Sequence, residues 1–276
     1  MADTISPWPR AQGAPAGRRR EPWPYFSLPL LVFLVLPLAA LLLRVSPERV
    51  LGALGTTAVR QAIGLTLGTS TAATLLTLIL GTPTAFWIAH QRTARRRVVE
   101  TLVDLPLVLP PAIAGLSLLM AFGRSGLLAP VLRAAGIDVA FTPVAVVLAQ
   151  TFVAAPLYVR AAAISYGEVE PALEQAAALD GAGHWQLFRS VILPMAWPAM
   201  LGGAAMTWAR ALGEFGATII FAGNFPGRTQ TMSLAIYMGF EIDLNLALTL
   251  SVVLIGLSLL VLALVRGLLQ RDPEGR

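Results

Sequence analysis

The strongest constraint on this chain is a set of long stretches without one charged side chain. Phe26–Leu43, Gln61–Ile88, Leu105–Gly123, Val139–Val159 and Leu244–Val265 contain no Asp, Glu, Lys or Arg. A sixth apolar stretch, Pro194–Ala222, is broken only by Arg210 and Glu214. A helix needs about 20 mostly apolar residues to cross the hydrocarbon core of a bilayer, and each stretch is near or above that length. Across 276 residues, 56% are hydrophobic and 13% charged, and the mean hydropathy is +0.72. These values exclude an ordinary soluble domain. The expected fold class is all-α and polytopic, with about six transmembrane helices over about 26–43, 61–89, 105–123, 139–160, 195–222 and 244–266. Together they form one membrane domain over 25–270, surrounded by membrane lipid.

The segments between the spans set the orientation. All 20 basic residues are arginine, which gives a net charge of +5 and a pI near 10.6. With the N-terminus inside, Arg10, Arg18, Arg19, Arg20, Arg92, Arg95, Arg96, Arg97, Arg160, Arg189, Arg266, Arg271 and Arg276 fall inside. Arg44, Arg49, Arg60, Arg124, Arg133 and Arg228 fall outside, and Arg210 lies within a span. This asymmetry follows the positive-inside rule and predicts both termini in the cytoplasm of a multi-pass cell-membrane protein. The basic balance therefore expresses topology, and no nucleic-acid partner is expected. Residues 1–24, rich in Pro, Gly and Arg, are expected to be a disordered cytoplasmic tail. Residues 271–276 form a second short tail. The first apolar run is long for a signal-peptide core and no convincing cleavage site follows it, so it is taken as a retained anchor.

Composition also removes whole classes of chemistry. Without lysine there is no Walker A phosphate loop and no Schiff base. Without cysteine there is no thiolate metal site or thiol nucleophile. The two histidines, His90 and His184, have no metal-site partners in the sequence, and an exposed interfacial position suits His184. Asp104, near the cytoplasmic end of the third span, fits a cap or a local ion pair. That span holds Pro106, Pro110, Pro111 and Gly115, so it is expected to bend inside the bundle, where neighbours can satisfy the freed carbonyls. Gly64 and Gly68 allow close helix packing in the second span.

One polar island interrupts the apolar pattern, over 168–192, followed by Leu193-Pro194. Pro171 suits a first helical position, and Ala172–Leu179 are strong helix formers. Asp180-Gly181 ends that helix, because Gly accepts the left-handed conformation of a helix C-terminus. A second short helix is expected from about Gly183, with Trp185, Phe188 and Ile192 on one face. Neither is long enough to span, so the pair is expected to lie along the membrane surface. The net acidic charge of Glu168–Arg189 argues against a DNA-binding helix-turn-helix, because phosphate contacts need cations.

The island resembles the EAA motif of ABC importer permeases: EAA, three residues, Gly, nine residues, Ile, one residue, Leu-Pro. Here Gln175-Ala176-Ala177 takes the EAA place, with Glu174 just before it. Gly181 is the Gly, Val191 stands for Ile, and Leu193-Pro194 closes the motif. Gln at the motif's Glu place is a departure. The resemblance implies a type I importer fold in which this segment is a cytoplasmic coupling helix docking on an ATP-hydrolysing subunit. The chain itself would be non-catalytic and hold no cofactor or metal, ATP being bound by the partner.

Arg210 and Glu214 lie four residues apart, on one face of a helix, and charges within a span are costly. Two readings stay open: a gate or pathway for an oxyanion, and a structural ion pair. The segment from Arg210 through Glu214 to Thr218, with Ala222–Thr231 and Leu234–Tyr237, resembles molybdate ABC transporter permeases. Sulfate permeases more often show Tyr-Gly-Ser-Val around this Glu, and tungstate permeases are too similar to separate. The resemblance covers roughly residues 25–270. It implies a homodimer with the path at the subunit interface, two ATP-binding cassette subunits below and an extracytoplasmic oxyanion-binding protein above. Two rivals come from other classes. An ion-coupled secondary transporter would place coupling carboxylates mid-span, where Glu214 is the single candidate. A membrane-embedded enzyme finds no HExxH, Ser/His or paired-Asp arrangement.

Overall fold

A computed structural model describes residues 23–91 and 93–270. Of the tail expected over 1–24, residues 1–22 lie outside the described residues, as does the tail 271–276, while Trp23 and Pro24 belong to the first helix. The chain divides into two units at Arg44/Val45. The first contributes helix α1 (Trp23–Arg44), whose Phe26–Arg44 portion is long and apolar enough to cross a membrane.

The second unit is also helical throughout its regular structure. It comprises α2 (Pro47–Leu54), α3 (Thr57–Ala89), α4 (Thr93–Val108), α5 (Pro111–Phe122), α6 (Ala129–Ala134), α7 (Pro143–Gly167) and α8 (Pro171–Leu179). Then follow α9 (His184–Leu187), a π turn (Phe188–Ile192), α10 (Leu193–Leu212), α11 (Gly216–Phe221), α12 (Met232–Ile242) and α13 (Leu244–Gln270). Thr57–Ala89, Pro143–Gly167, Trp185–Leu212 and Leu244–Leu264 are long and apolar enough to span. With α1 they make five candidate spans among the described residues, or six if α4 and α5 together form one.

The core forms where α3 and α10 both pack on α7. Along α3, Ala62, Thr66, Thr69, Ser70, Ala73, Thr77, Ala85 and Ile88 are buried at three- and four-residue spacings, the period of one helix face. Thr66, Thr69, Thr74 and Thr77 each donate to the carbonyl four residues earlier at 2.7–2.8 Å. Small hydroxyl residues can thus sit in a dry interface without orphaned polar groups. Close approach is possible because the contact positions lack bulk. A Cβ at Gly81 would lie 3.0 Å from the Tyr158 ring, and one at Gly203 would lie 2.8 Å from the Ala161 methyl. Tyr158 itself is fully buried, and its hydroxyl is paired with Thr82 at 2.6 Å.

Four expectations need correction. The span placed at 105–123 is two helices, α4 beginning as early as Thr93, and their axes bend by 112°. Pro110 and Pro111 cause the break: Pro110 lacks an N–H, and a residue before proline is driven out of the helical region. The span placed at 195–222 ends at Leu212, where Gly213 caps it and the chain turns before α11. The segment 224–243, left between the last two expected spans, contains α12, which is apolar but only 11 residues long. Finally, the island's second helix is not a separate surface helix. Through the π turn it is continuous with α10, so that Trp185–Leu212 form one uninterrupted helical rod.

Candidate functional site

Two groups of sequence-selected residues lie at opposite ends of α10. Leu193 and Pro194 open it, and Arg210 lies in its last turn. At 1.5 Å rise per residue the two groups are about 25 Å apart along the helix.

The first group surrounds α8. Pro171 starts the helix after Glu170, and Asp180 caps it. Beyond it Gly181 has φ +85°. The Gly181 N–H donates to the Ala178 carbonyl at 3.1 Å and the Ala182 N–H to the Ala177 carbonyl at 3.0 Å. This is a Schellman closure, which requires a left-handed residue at Gly181's place and satisfies the carbonyls at the helix end. The chain therefore leaves the helix at Gly181, and α8 is a short, firmly closed knob. Its surface is poorly covered. Gln175 and Ala176 are exposed and Ala177 half-buried, while Leu179 is 88% and Trp185 71% exposed. Large apolar side chains are therefore presented outward on both sides of the Gly181 turn.

Three connections anchor the knob to the bundle. Glu174 Oε1 lies 3.7 Å from His90 Nε2, at the C-terminal end of α3. His90 Nδ1 is hydrogen-bonded to the Phe86 carbonyl at 2.8 Å, which orients the ring. Phe188 is the hub of an aromatic cluster. It stacks on Trp185 at 5.7 Å and meets Phe86 of α3 at 5.2 Å and Tyr166 of α7 at 6.1 Å, both edge-on. Tyr166 in turn donates to Met200 Sδ of α10 at 3.2 Å. Val191 and Leu193, both half-buried, lie in and just after the π turn, and Pro194 is exposed. The residues around α8 and the π turn are thus in contact with α3, α7 and α10. His90, Phe86, Tyr166 and Phe188 as a connecting group went unnoticed in the sequence, where they are scattered over three segments.

The second group surrounds the break after α10. Arg210 Nη1 donates to Glu214 Oε2 at 2.8 Å, and Glu214 Oε1 accepts the Ala217 N–H at 2.8 Å. Glu214 is 1% exposed and the Arg210 side chain 36%. The pairing expected from the four-residue spacing is present, although α10 stops at Leu212 and Glu214 lies beyond it. Glu214 thus also serves the start of α11. Thr218 is fully buried on α11, and its hydroxyl oxygen has no partner. Gln150 of α7, fully buried, is likewise unpartnered at both amide atoms. Further along α7, Arg160 Nε lies 3.4 Å from Asp104 Oδ1 and ties α7 to α4. Among the described residues no group of three His, Cys, Asp or Glu side chains could hold a metal ion.

Residues 78–271 match the family described as binding-protein-dependent transport system inner membrane component. The molybdenum transport system permease protein ModB of Mycobacterium tuberculosis is 39% identical over 254 residues, covering 92% of this chain and 95% of that protein. The sulfate transport system permease protein CysW of Synechococcus elongatus is 34% identical, covering 76% of this chain and 74% of its own. Among solved structures, a bacterial ABC transporter importing the acidic polysaccharide alginate superposes with a TM-score of 0.72 at 17% identity, covering 92% of this chain and 97% of that chain. The MetNI methionine ABC transporter gives 0.59 at 19% identity, over 77% and 95%. The fold, the EAA-like knob and these relatives together make the chain a member of the inner-membrane permease family of ABC importers.

Proposed function

We propose that this chain is the permease subunit of an ATP-driven molybdate importer, working as a homodimer with two ATP-binding cassette subunits and an extracytoplasmic oxyanion-binding protein. The observation that carries the reading is the exposed α8 knob, closed by Gly181 and connected through Phe188 to three bundle helices. Such a knob is of use only to a partner that moves it. The chain has no lysine for a phosphate loop, so ATP is bound and hydrolysed by that partner, and no cofactor belongs to the permease. Glu174, Gln175, Ala176, Ala177, Gly181, Val191, Leu193 and Pro194 form the coupling element. Both termini lie in the cytoplasm, on the same side as α8.

The cycle follows from differential binding. ATP favours the packing in which two cassettes close and draw the knobs together, and it shifts the equilibrium only by that preference. Arg210, Glu214 and Thr218 line or gate the path. Glu214 fixes the guanidinium with one N–H, and the remaining donors suit a tetrahedral oxyanion. Molybdate is favoured by the ModB relatives. Sulfate is the second reading, because a sulfate permease matches at 34% identity.

The test is ATP hydrolysis by the complex reconstituted with its cassette and binding protein, titrated separately with molybdate, tungstate and sulfate. Stimulation by molybdate at low concentration with sulfate inert is the expected result. Stimulation by sulfate moves the protein to the sulfate branch. Failure of any cassette to associate removes the coupling assignment and leaves the secondary-transporter class.

A further inference from the structure

An apolar groove runs along α3 toward the knob. Ile79, Thr82, Pro83 and Phe86, at i, i+3, i+4 and i+7, present one face of that helix to it, with Leu78 beside them. Trp185 and Phe188, from α9 and the π turn, form the other side. Its volume is about 480 Å³, and it extends about 10 Å along α3. Thr82 is the one hydroxyl in its wall, and that hydroxyl is paired with Tyr158 at 2.6 Å, so the wall offers little to water. Phe86 and Phe188 meet edge-on at 5.2 Å, and Trp185 stacks on Phe188. Ile79 is nonetheless 69% exposed, as open as Trp185.

The end of the groove nearest the knob carries the marks of a membrane boundary. Trp87, four residues past Pro83 and so on the same face of α3, is half exposed. With Trp185 it places one indole on each wall. Tryptophan concentrates at the headgroup level of a bilayer, where the ring is apolar and the N–H is wet. Beyond Phe86, α3 continues only to Ala89 before the chain turns. Arg189 follows Phe188 and lies four residues past Trp185. It is exposed, and among the described residues it forms no ion pair. The knob's Glu174 is turned to His90 instead. Arginine lays its stem along apolar surface and keeps its guanidinium among headgroups. A recessed apolar slot, two interfacial indoles and an unpaired guanidinium thus occur together, and basic pockets of this kind between membrane helices recognise anionic headgroups.

From this we propose that the groove holds one anionic phospholipid from the leaflet on the knob's side. An acyl chain lies along Ile79 to Phe86 against Trp185 and Phe188, and the phosphate meets Arg189. The lipid then packs on the rings that join the knob to α3 and α7 and completes the wall of that joint. The assignment is independent of the anion carried and of any cassette, because bound lipid is what is measured.

Native mass spectrometry of the full chain in detergent, titrated with phosphatidylglycerol or with phosphatidylcholine of the same acyl chains, counts the lipid. One retained lipid per chain is expected, with phosphatidylglycerol favoured about fivefold, the contribution of one arginine beside a charged headgroup. Arg189→Gln breaks no ion pair within the described residues and is expected to bring that preference close to one, while Arg189→Lys restores it. Ile79→Trp fills the groove from an exposed position. It is expected to abolish the retained lipid with either headgroup while the thermal midpoint holds. Equal binding of the two lipids by the unaltered chain overturns the anionic assignment. An unchanged lipid count in Ile79→Trp overturns the groove. So does a loss of dimer in place of a loss of lipid, which makes a second copy of the chain the occupant. Should Ile79→Trp fail to fold, the Arg189 variants decide alone, and a preference that Arg189→Gln leaves intact rejects the site.

Discussion

At the C-terminal end of α7, the groups that fix the knob are satisfied. Gly181 closes α8 with two backbone hydrogen bonds, Glu174 meets His90, and Phe188 has ring neighbours on two other helices. At the N-terminal end of the same helix the reverse holds. Phe141 is strained, and four buried polar atoms in the adjoining segment lack partners. One helix therefore joins a stiff end to a costly one. A structure that must transmit displacement needs stiffness where force enters and near-degenerate packing where the change is read out.

The largest expected effect breaks the stiff end. Gly181→Trp is expected to abolish transport while leaving membrane insertion intact. A Cβ added at Gly181 meets nothing within 4 Å, so a substitution there starts into open space, and its backbone cost is φ +85°. Gly181→Asn tests that separation, because Asn tolerates the left-handed region; uptake near the wild-type rate is expected. Wild-type uptake by the Trp variant at normal expression would sink the coupling role.

Next comes the charged pair at the costly end. Glu214→Ala leaves Arg210 unpaired and removes the acceptor for the Ala217 N–H. Because Arg210 is about a third exposed, the expected loss is about 1–3 kcal/mol rather than the larger penalty of a wholly buried pair. Glu214→Gln keeps an acceptor and is expected to lose about 1 kcal/mol. Unfolding in mixed micelles measures both. Equal losses would assign the whole effect to charge and none to the start of α11.

Phe188→Leu sharpens the comparison from the other side. It removes three ring contacts at roughly constant volume, an expected cost of about 1–2 kcal/mol. The ratio of stimulated to basal ATP turnover should fall while the complex still assembles. An unchanged ratio would mean that displacement bypasses the aromatic cluster. The smallest effect is expected at Thr66→Val, which removes the acceptor for the Met232 N–H between α3 and α12. About 1 kcal/mol of stability should be lost with turnover intact.

The charge-free runs made the all-helical membrane fold legible, because length and apolarity alone decide what can cross a bilayer. The knob was legible in Asp180-Gly181 and Leu193-Pro194, where single residues dictate local geometry. Arg210 and Glu214 were found by helical spacing although no helix joins them; pairing survived because the chain turns only one residue past Leu212. Prolines announced a break at 110–111 but not its 112° angle, which packing against α11 and α7 sets. His90 as the partner of Glu174, and the rings around Phe188, come from distant segments and carry no local signal. Nor does any residue near Phe141 announce a left-handed backbone, since tertiary contacts impose it.

The π turn over Phe188–Ile192 has one more consequence. A π turn holds one residue more than the α-helix around it, so the rod from Trp185 to Leu212 contains a spare residue of winding. Absorbing or shifting that residue would spin α9 by about 100° against α10 and slide it about 1.5 Å. The joint between knob and span is thus a screw thread with one notch in reserve, able to change the azimuth of Trp185 while the backbone stays helical from end to end.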